Sequence, residues 1–151
     1  RFPHTAWTGR LCRNDRIAVA DALERTGMTG FASRFLTELS DGEKQRAMIA
    51  RVLAQDAGIM IMDEPTAFLD LPGKYEIMNL LRELSRNRKS VIFSTHDLDI
   101  ALKLSDRIWL MLKDRLVEGT PAELTEDGSL ASMFGPEGAD FFSRDYLKNL
   151  R

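Results

Sequence analysis

Two short apolar runs limit most strongly what this chain can fold into. Ile59-Met60-Ile61-Met62 stops at Asp63-Glu64-Pro65, and Val91-Ile92-Phe93 stops at Ser94-Thr95-His96-Asp97. Between them, Tyr75 to Leu84 carries Ile77, Met78, Leu81 and Leu84 at the spacing of one helix face. Continuous apolar runs of this length read as strands covered on both faces, and alternation with an amphipathic helix makes the sheet parallel. The expected fold class is α/β.

The flanking segments extend this pattern. Asp15 to Thr26, with Ile17, Val19, Ala20 and Leu23 apolar, predicts a helix ended by Gly27, and Phe31 to Leu36 predicts a further helical turn. A longer helix is expected from Gly42 to about Gln55, burying Ala47, Met48, Ile49, Val52 and Leu53. Ile108 to Leu112 reads as a third strand. It turns at Lys113-Asp114-Arg115 into Leu116-Val117-Glu118, an antiparallel hairpin at the sheet edge. From Pro121 onward, short segments punctuated by Gly and Pro suggest peripheral helices. The expected organisation is a helical lobe over 1–57, half of an α/β core over 58–120 and peripheral helices over 121–151.

Composition narrows the function classes. With 44% hydrophobic and 29% charged residues over 151 positions, the chain has the makings of a globular core. A net charge of −2 gives no electrostatic footprint for nucleic acid. No apolar run approaches the ~18 residues a membrane-spanning helix needs, so membrane association is expected through a partner and not by insertion. Residues Arg1 to Arg10 lack the apolar segment of a signal peptide. Cys12, the single cysteine, cannot form an internal disulfide, which fits a reducing cytosol.

Four groups carry chemistry. Asp63 and Glu64 follow a strand, at the carboxyl end where open α/β sheets place ligands. One carboxylate there can hold Mg²⁺ through water, and the other can orient or deprotonate an attacking water. Alone, the pair also reads as a solvated turn. Leu39-Ser40-Asp41-Gly42-Glu43-Lys44-Gln45-Arg46 has the Ser-x-x-Glu spacing of a capping box, and the same helix start offers N–H groups to a phosphate. His96 follows the second strand, where it can reach a γ-phosphate or hold a water, although a lone histidine is more often structural. Asp70 either acts in a site or caps the helix opening at Leu71-Pro72.

In order, Leu-Ser-x-Gly-Glu-x-Gln-Arg, an apolar strand ending Asp-Glu-Pro-Thr, Phe-Leu-Asp, and Ser-Thr-His-Asp resemble the ABC ATPase family from about Thr37 to Asp97. The resemblance implies the carboxyl-terminal part of a P-loop (RecA-like) ABC ATPase domain that uses ATP and Mg²⁺. It assigns Ser40 and Gly42 to the signature loop, which touches ATP held by the opposite subunit. Asp63 becomes the Walker B Mg²⁺ ligand, through water, and Glu64 the catalytic glutamate. Asp70 becomes the D-loop aspartate, and His96 the switch histidine that senses the γ-phosphate. Lys44, Gln45 and Arg46 belong to the helix behind the signature, and a solvated polar face explains them equally well.

The implied partners are a second ATPase subunit, arranged head to tail, and transmembrane permease subunits. The implied location is the cytoplasmic side of the inner or plasma membrane, peripherally bound. Arg1-Phe2-Pro3-His4-Thr5 and Ala67-Phe68-Leu69-Asp70-Leu71-Pro72 look like importers of iron–siderophores, haem and cobalamin, with Arg1–Trp7 near the groove for the permease's coupling helix. A non-transport ABC ATPase of the DNA-repair or translation type, or an inert interacting fragment, are the competing expectations.

The chain departs from the family pattern twice. Asp41-Gly42-Glu43 stands where the signature usually has Gly-Gly-Gln, and a carboxylate beside a γ-phosphate weakens binding unless it turns away. No Gly-x-x-x-x-Gly-Lys-Ser/Thr occurs in the sequence; Gly73-Lys74 is followed by Tyr75. The expectation is a part that lacks its Walker A loop, which in the family lies upstream. Without that backbone cradle and its lysine, purified residues 1–151 are expected to show no steady ATP hydrolysis. Phosphate release above background, abolished by Glu64→Gln, would overturn this.

Overall fold

The structure, a computed structural model, describes residues 11–133. The Arg1–Trp7 segment and the part of the 121–151 tail from 134 onward lie outside the described residues. The chain divides into two compact units, separated after His96. The first holds helices α1 (Arg13–Arg25), α2 (Asp41–Gln55) and α3 (Leu71–Arg86) with strands β1 (Ile59–Asp63) and β2 (Ser90–Ser94). The second holds α4 (Leu98–Leu104), β3 (Ile108–Met111), β4 (Leu116–Gly119), α5 (Pro121–Glu126) and α6 (Ser129–Ser132).

In the first unit α1 and α2 pack through Ala22, Ala50 and Ala54, with Val19, Leu23 and Leu53 against them. Small residues at the contact let the two helices approach closely. Met48, expected on the buried side, is instead 46% exposed. It stands two residues from Ala50, about 200° around the helix, and so faces away from α1. Gly27 ends α1 at φ +69, with Met28 N–H donating to Leu23 O (2.7 Å) and Gly27 N–H to Glu24 O (3.0 Å). A left-handed residue is what this kind of helix stop requires. The Phe31–Leu36 helical turn is not formed as expected. Two 3₁₀ turns, Thr29–Phe31 and Leu36–Glu38, flank that stretch instead.

β1 and β2 pair in parallel, from Ile59 opposite Ser90 to Asp63 opposite Ser94. α3 supplies the crossover that parallel pairing needs. It packs against β2 and buries Ile77, Met78, Leu80, Leu81 and Leu84. The register is tied at its start: Lys89 Nζ donates to Asp56 Oδ1 (2.7 Å) and Ala57 O (3.2 Å), and Ser90 N–H to Gly58 O (2.9 Å). Successive strand residues point to opposite faces. Among the described residues only one face of β1 is covered: Met60 is buried, while Ile59 and Ile61 are 63% and 73% exposed. Cover for the second face, expected from the apolar run, does not come from the described residues.

The second unit contains the expected hairpin. β3 and β4 are antiparallel, from Ile108 opposite Gly119 to Met111 opposite Leu116, and Leu112 N–H closes the turn on Arg115 O at 2.9 Å. The pair forms a two-stranded sheet of its own, whereas the sequence suggested the edge of the parallel sheet. An Arg107–Glu118 hydrogen bond clamps the strands, and the core is Leu102, Leu110, Leu124 and Leu130.

Two helix starts in the first unit are capped by side chains. Ser40 opens α2 reciprocally with Glu43: Glu43 N–H donates to Ser40 Oγ (3.3 Å), and Ser40 N–H to Glu43 Oε2 (2.7 Å). Asp70 opens α3 by accepting from Gly73 N–H at 3.1 Å, with Pro72 in the first turn. A Cβ at Gly73 would stand 2.7 Å from Asp70 Oδ1 and 2.9 Å from Arg46 Nη2, so both side-chain ends must shift to admit it. Gly73→Ala is therefore expected to lose roughly 0.5–2 kcal/mol in a urea titration through displacement of the Asp70 cap. Gly30→Ala, with nothing within 4 Å of the new methyl, should stay within about 0.5 kcal/mol. Equal losses at the two sites would refute this account.

Glu43 also makes the cap sensitive to pH. Hydrogen bonds from the Ser40 amide, and next from its hydroxyl, hold the Glu43 carboxyl below its ordinary 4.5. Ionised Glu43 thus stabilises the fold above pH 4.5, and that contribution fades as pH falls through the lower folded value. The stability gap between the natural chain and Glu43→Gln should narrow from about pH 6 to about pH 3. A gap that stays constant in chemical denaturation across that range would contradict it.

Candidate functional site

The parallel register decides what meets at the end of β1. Because Asp63 lies opposite Ser94, the Ser94 hydroxyl donates to Asp63 Oδ1 and accepts from the Glu64 N–H at 3.1 Å. Glu64 leaves the strand in the left-handed region, at φ +46, which residues with a Cβ seldom adopt. Its carbonyl uses both lone pairs. Ala67 N–H donates at 3.0 Å, closing the Glu64–Ala67 turn, and Gln45 Nε2 donates at 3.0 Å from α2. The Glu64 side chain points to His96, with Oε1 and Nε2 3.4 Å apart and the His96 side chain 99% exposed. Asp63, Glu64 and His96 are thus one cluster at the carboxyl ends of two parallel strands.

Ser40, Gly42 and Asp70 form a second cluster around an open groove of about 590 Å³, together with Asp41, Arg46, Phe68 and Leu69. Gly42 lies hard against the turn after β1: a Cβ there would stand 3.1 Å from Phe68 O and 3.5 Å from Leu69 Cδ2. Phe68 is itself left-handed, at φ +62. Asp41 does not face the groove unpartnered, since its carboxylate takes a hydrogen bond from Lys44 Nζ at 2.8 Å, one turn along α2. The pair is exposed and adds little stability. It does place a cation beside Asp41, one of the two acidic departures from the usual signature.

Three residues matter more than their sequence context suggested. Ser94 joins Asp63 to Glu64, and Gln45 joins α2 to the Glu64 carbonyl. Arg46 reaches Glu76 of α3 at 3.0 Å and Thr26 O, beyond α1, at 3.5 Å. Gln45 and Arg46 are therefore tethers, where the sequence equally allowed a solvated face. The quoted motifs contain all three, but nothing local names their partners, each of which is more than eighteen residues away.

The donor set fits one kind of metal. Among the described residues no three His, Cys, Asp or Glu side chains converge on a point. Mg²⁺ needs no such group, because it keeps most of its waters and takes one or two carboxylates beside substrate phosphates. Asp63, anchored through one oxygen by Ser94, is the carboxylate in position.

The ABC transporter family profile matches residues 2–67. The Petrobactin import ATP-binding protein FpuD of Bacillus anthracis is 36% identical over 140 residues, covering 91% of this chain and 51% of FpuD. The Energy-coupling factor transporter ATP-binding protein EcfA2 of Methanospirillum hungatei is 46% identical over 114 residues, 75% of this chain and 29% of that protein. An ABC transporter assigned to the metal-chelate type, solved in an inward-facing conformation, superposes with a TM-score of 0.78 at 27% identity, over 89% of this chain and 54% of its own. The chain spans about half the length of FpuD and of that structure. With the ordered Ser40–Arg46, Asp63–Thr66 and His96 elements in a matching fold, the chain belongs to the family of ABC transporter ATP-binding proteins.

Proposed function

We propose that this chain provides the signature and Walker B portion of the ATP-hydrolysing subunit of an importer for chelated iron, haem or cobalamin. The observation that carries it is Glu64, held in a strained turn beside Asp63 with its carboxylate 3.4 Å from His96 Nε2. Bound Mg²⁺ would neutralise charge on the β- and γ-phosphates of ATP. Asp63, its carboxylate fixed by Ser94, would hold that ion through water. Glu64 orients the attacking water and draws on its proton. His96, exposed and next to Glu64, reaches the γ-phosphate. Ser40 and Gly42 serve ATP in a second subunit, and Asp70, on the same groove, links the two sites.

The grip on the phosphates comes from outside these 151 residues, because they contain no Walker A sequence. The partners are a second ATPase subunit and membrane permeases. No described helix is long and apolar enough to cross a membrane, and the proposed position is peripheral, on the cytoplasmic face. The similarity to EcfA2 favours a second reading, the ATPase of an energy-coupling factor transporter. Both readings use the same residues for hydrolysis. Co-purification with permeases of one type or the other separates them.

In a protein joining this sequence to a Walker A loop, Glu64→Gln is expected to stop turnover and accumulate an ATP-bound dimer, with ATP affinity within about twofold. His96→Ala should likewise lower kcat by about 10²-fold or more with little change in binding. Radiolabelled-ATP binding and phosphate release measure both. Loss of ATP binding in Glu64→Gln, or full turnover in His96→Ala, would refute the assignment of that residue.

A further inference from the structure

The backbone of Glu64 is held from three directions. Its N–H donates to Ser94 Oγ on β2, while its carbonyl accepts from Ala67 N–H within the turn and from Gln45 Nε2 on α2. The first two bonds come from the strand pair and its own turn. The third comes from a helix nineteen residues earlier in sequence. That helix begins at Ser40.

We infer that Gln45 is a positioning residue for Glu64, and that through it the amino end of α2 acts on the Glu64 carboxylate. The inference rests on the reading of Glu64 as the residue that orients water. A left-handed conformation is costly for a residue with a Cβ, so it persists only where its surroundings enforce it. Releasing the Gln45 bond lets this peptide relax toward extended geometry, which turns the Cα–Cβ direction away from His96. The tether has to be an amide donor of this length. A carboxylate at the same position sets acceptor against acceptor, and a methyl reaches nothing.

Gln45 lies five residues beyond Ser40 on one continuous helix, about 7.5 Å along its axis. A shift of that helix end, when Ser40 and Gly42 meet a phosphate, is therefore carried to the Glu64 carbonyl. In a head-to-tail dimer this phosphate belongs to the other nucleotide. A single side-chain hydrogen bond would then connect occupancy at one site with the water-orienting group of the next.

The test uses Gln45→Glu, which keeps the shape and loses the donor, together with Gln45→Ala, in a protein joining this sequence to a Walker A loop. Both are expected to lower kcat ten- to a hundredfold, with KM for ATP within about twofold and an unchanged melting temperature. Glu64→Gln runs alongside as the control. If Glu64→Gln is inactive while both Gln45 variants keep the natural kcat, the inference fails and the reading of Glu64 stands. If Glu64→Gln turns over normally, that reading fails and takes the inference with it. Independently of activity, the three-bond HN–Hα coupling of Glu64, measured by NMR on the 151-residue chain, should move toward the extended value in Gln45→Glu. An unchanged coupling overturns the inference even where a variant is too unstable to assay.

Discussion

The Ser94 hydroxyl, opposite Asp63, is the interaction on which the site depends. It donates to one carboxylate and accepts from the peptide N–H of the next residue, so one oxygen fixes both members of an acidic pair. It can do so only because the two strands pair in parallel with Asp63 across from Ser94. A slip of one residue would turn Ser94 to the opposite face and leave the pair unsupported. The Lys89 contacts at the start of the strands therefore help hold the register that supports the acidic pair at their far end.

The helix caps have a similar double use. Ser40 and Asp70 each stabilise a helix start through ordinary capping geometry, and both border the same groove. Capping does not compete with a phosphate-facing role, because a cap occupies one N–H and leaves its neighbours directed outward. Close contact between Gly42 and the Phe68 carbonyl joins the two helix starts, so movement of one requires adjustment of the other. Asp41, the residue that departs most from the usual signature, has its charge partnered by Lys44 in the next turn.

The face of β1 that the described residues leave uncovered separates an apolar pattern from the cover it calls for. Ile59 and Ile61 are as apolar as Met60, yet only Met60 is covered within the described residues. Met48 shows the same point on a helix: its apolar side chain sits on the side away from α1, and packing is decided by angle around the axis, not by hydrophobicity. An apolar residue states that burial is favourable. It does not state against what.

The sequence by itself determined the elements and the identities of the candidate groups. Helix starts at Ser40 and Asp70, the stop at Gly27, the Asp63–Glu64 strand end and the β3–β4 hairpin all rest on interactions within a few residues, which local spacing reports. The motifs placed Glu64 and His96 each at the end of a strand, and the fold brings their side chains to 3.4 Å. Only the tertiary structure decided the rest. The left-handed Glu64, its hold by Gln45 and Ser94, and the bridging of α1 and α3 by Arg46 join residues twenty or thirty positions apart. Such contacts are set by strand register and helix rotation, which depend on the whole arrangement at once and leave no periodicity in the chain.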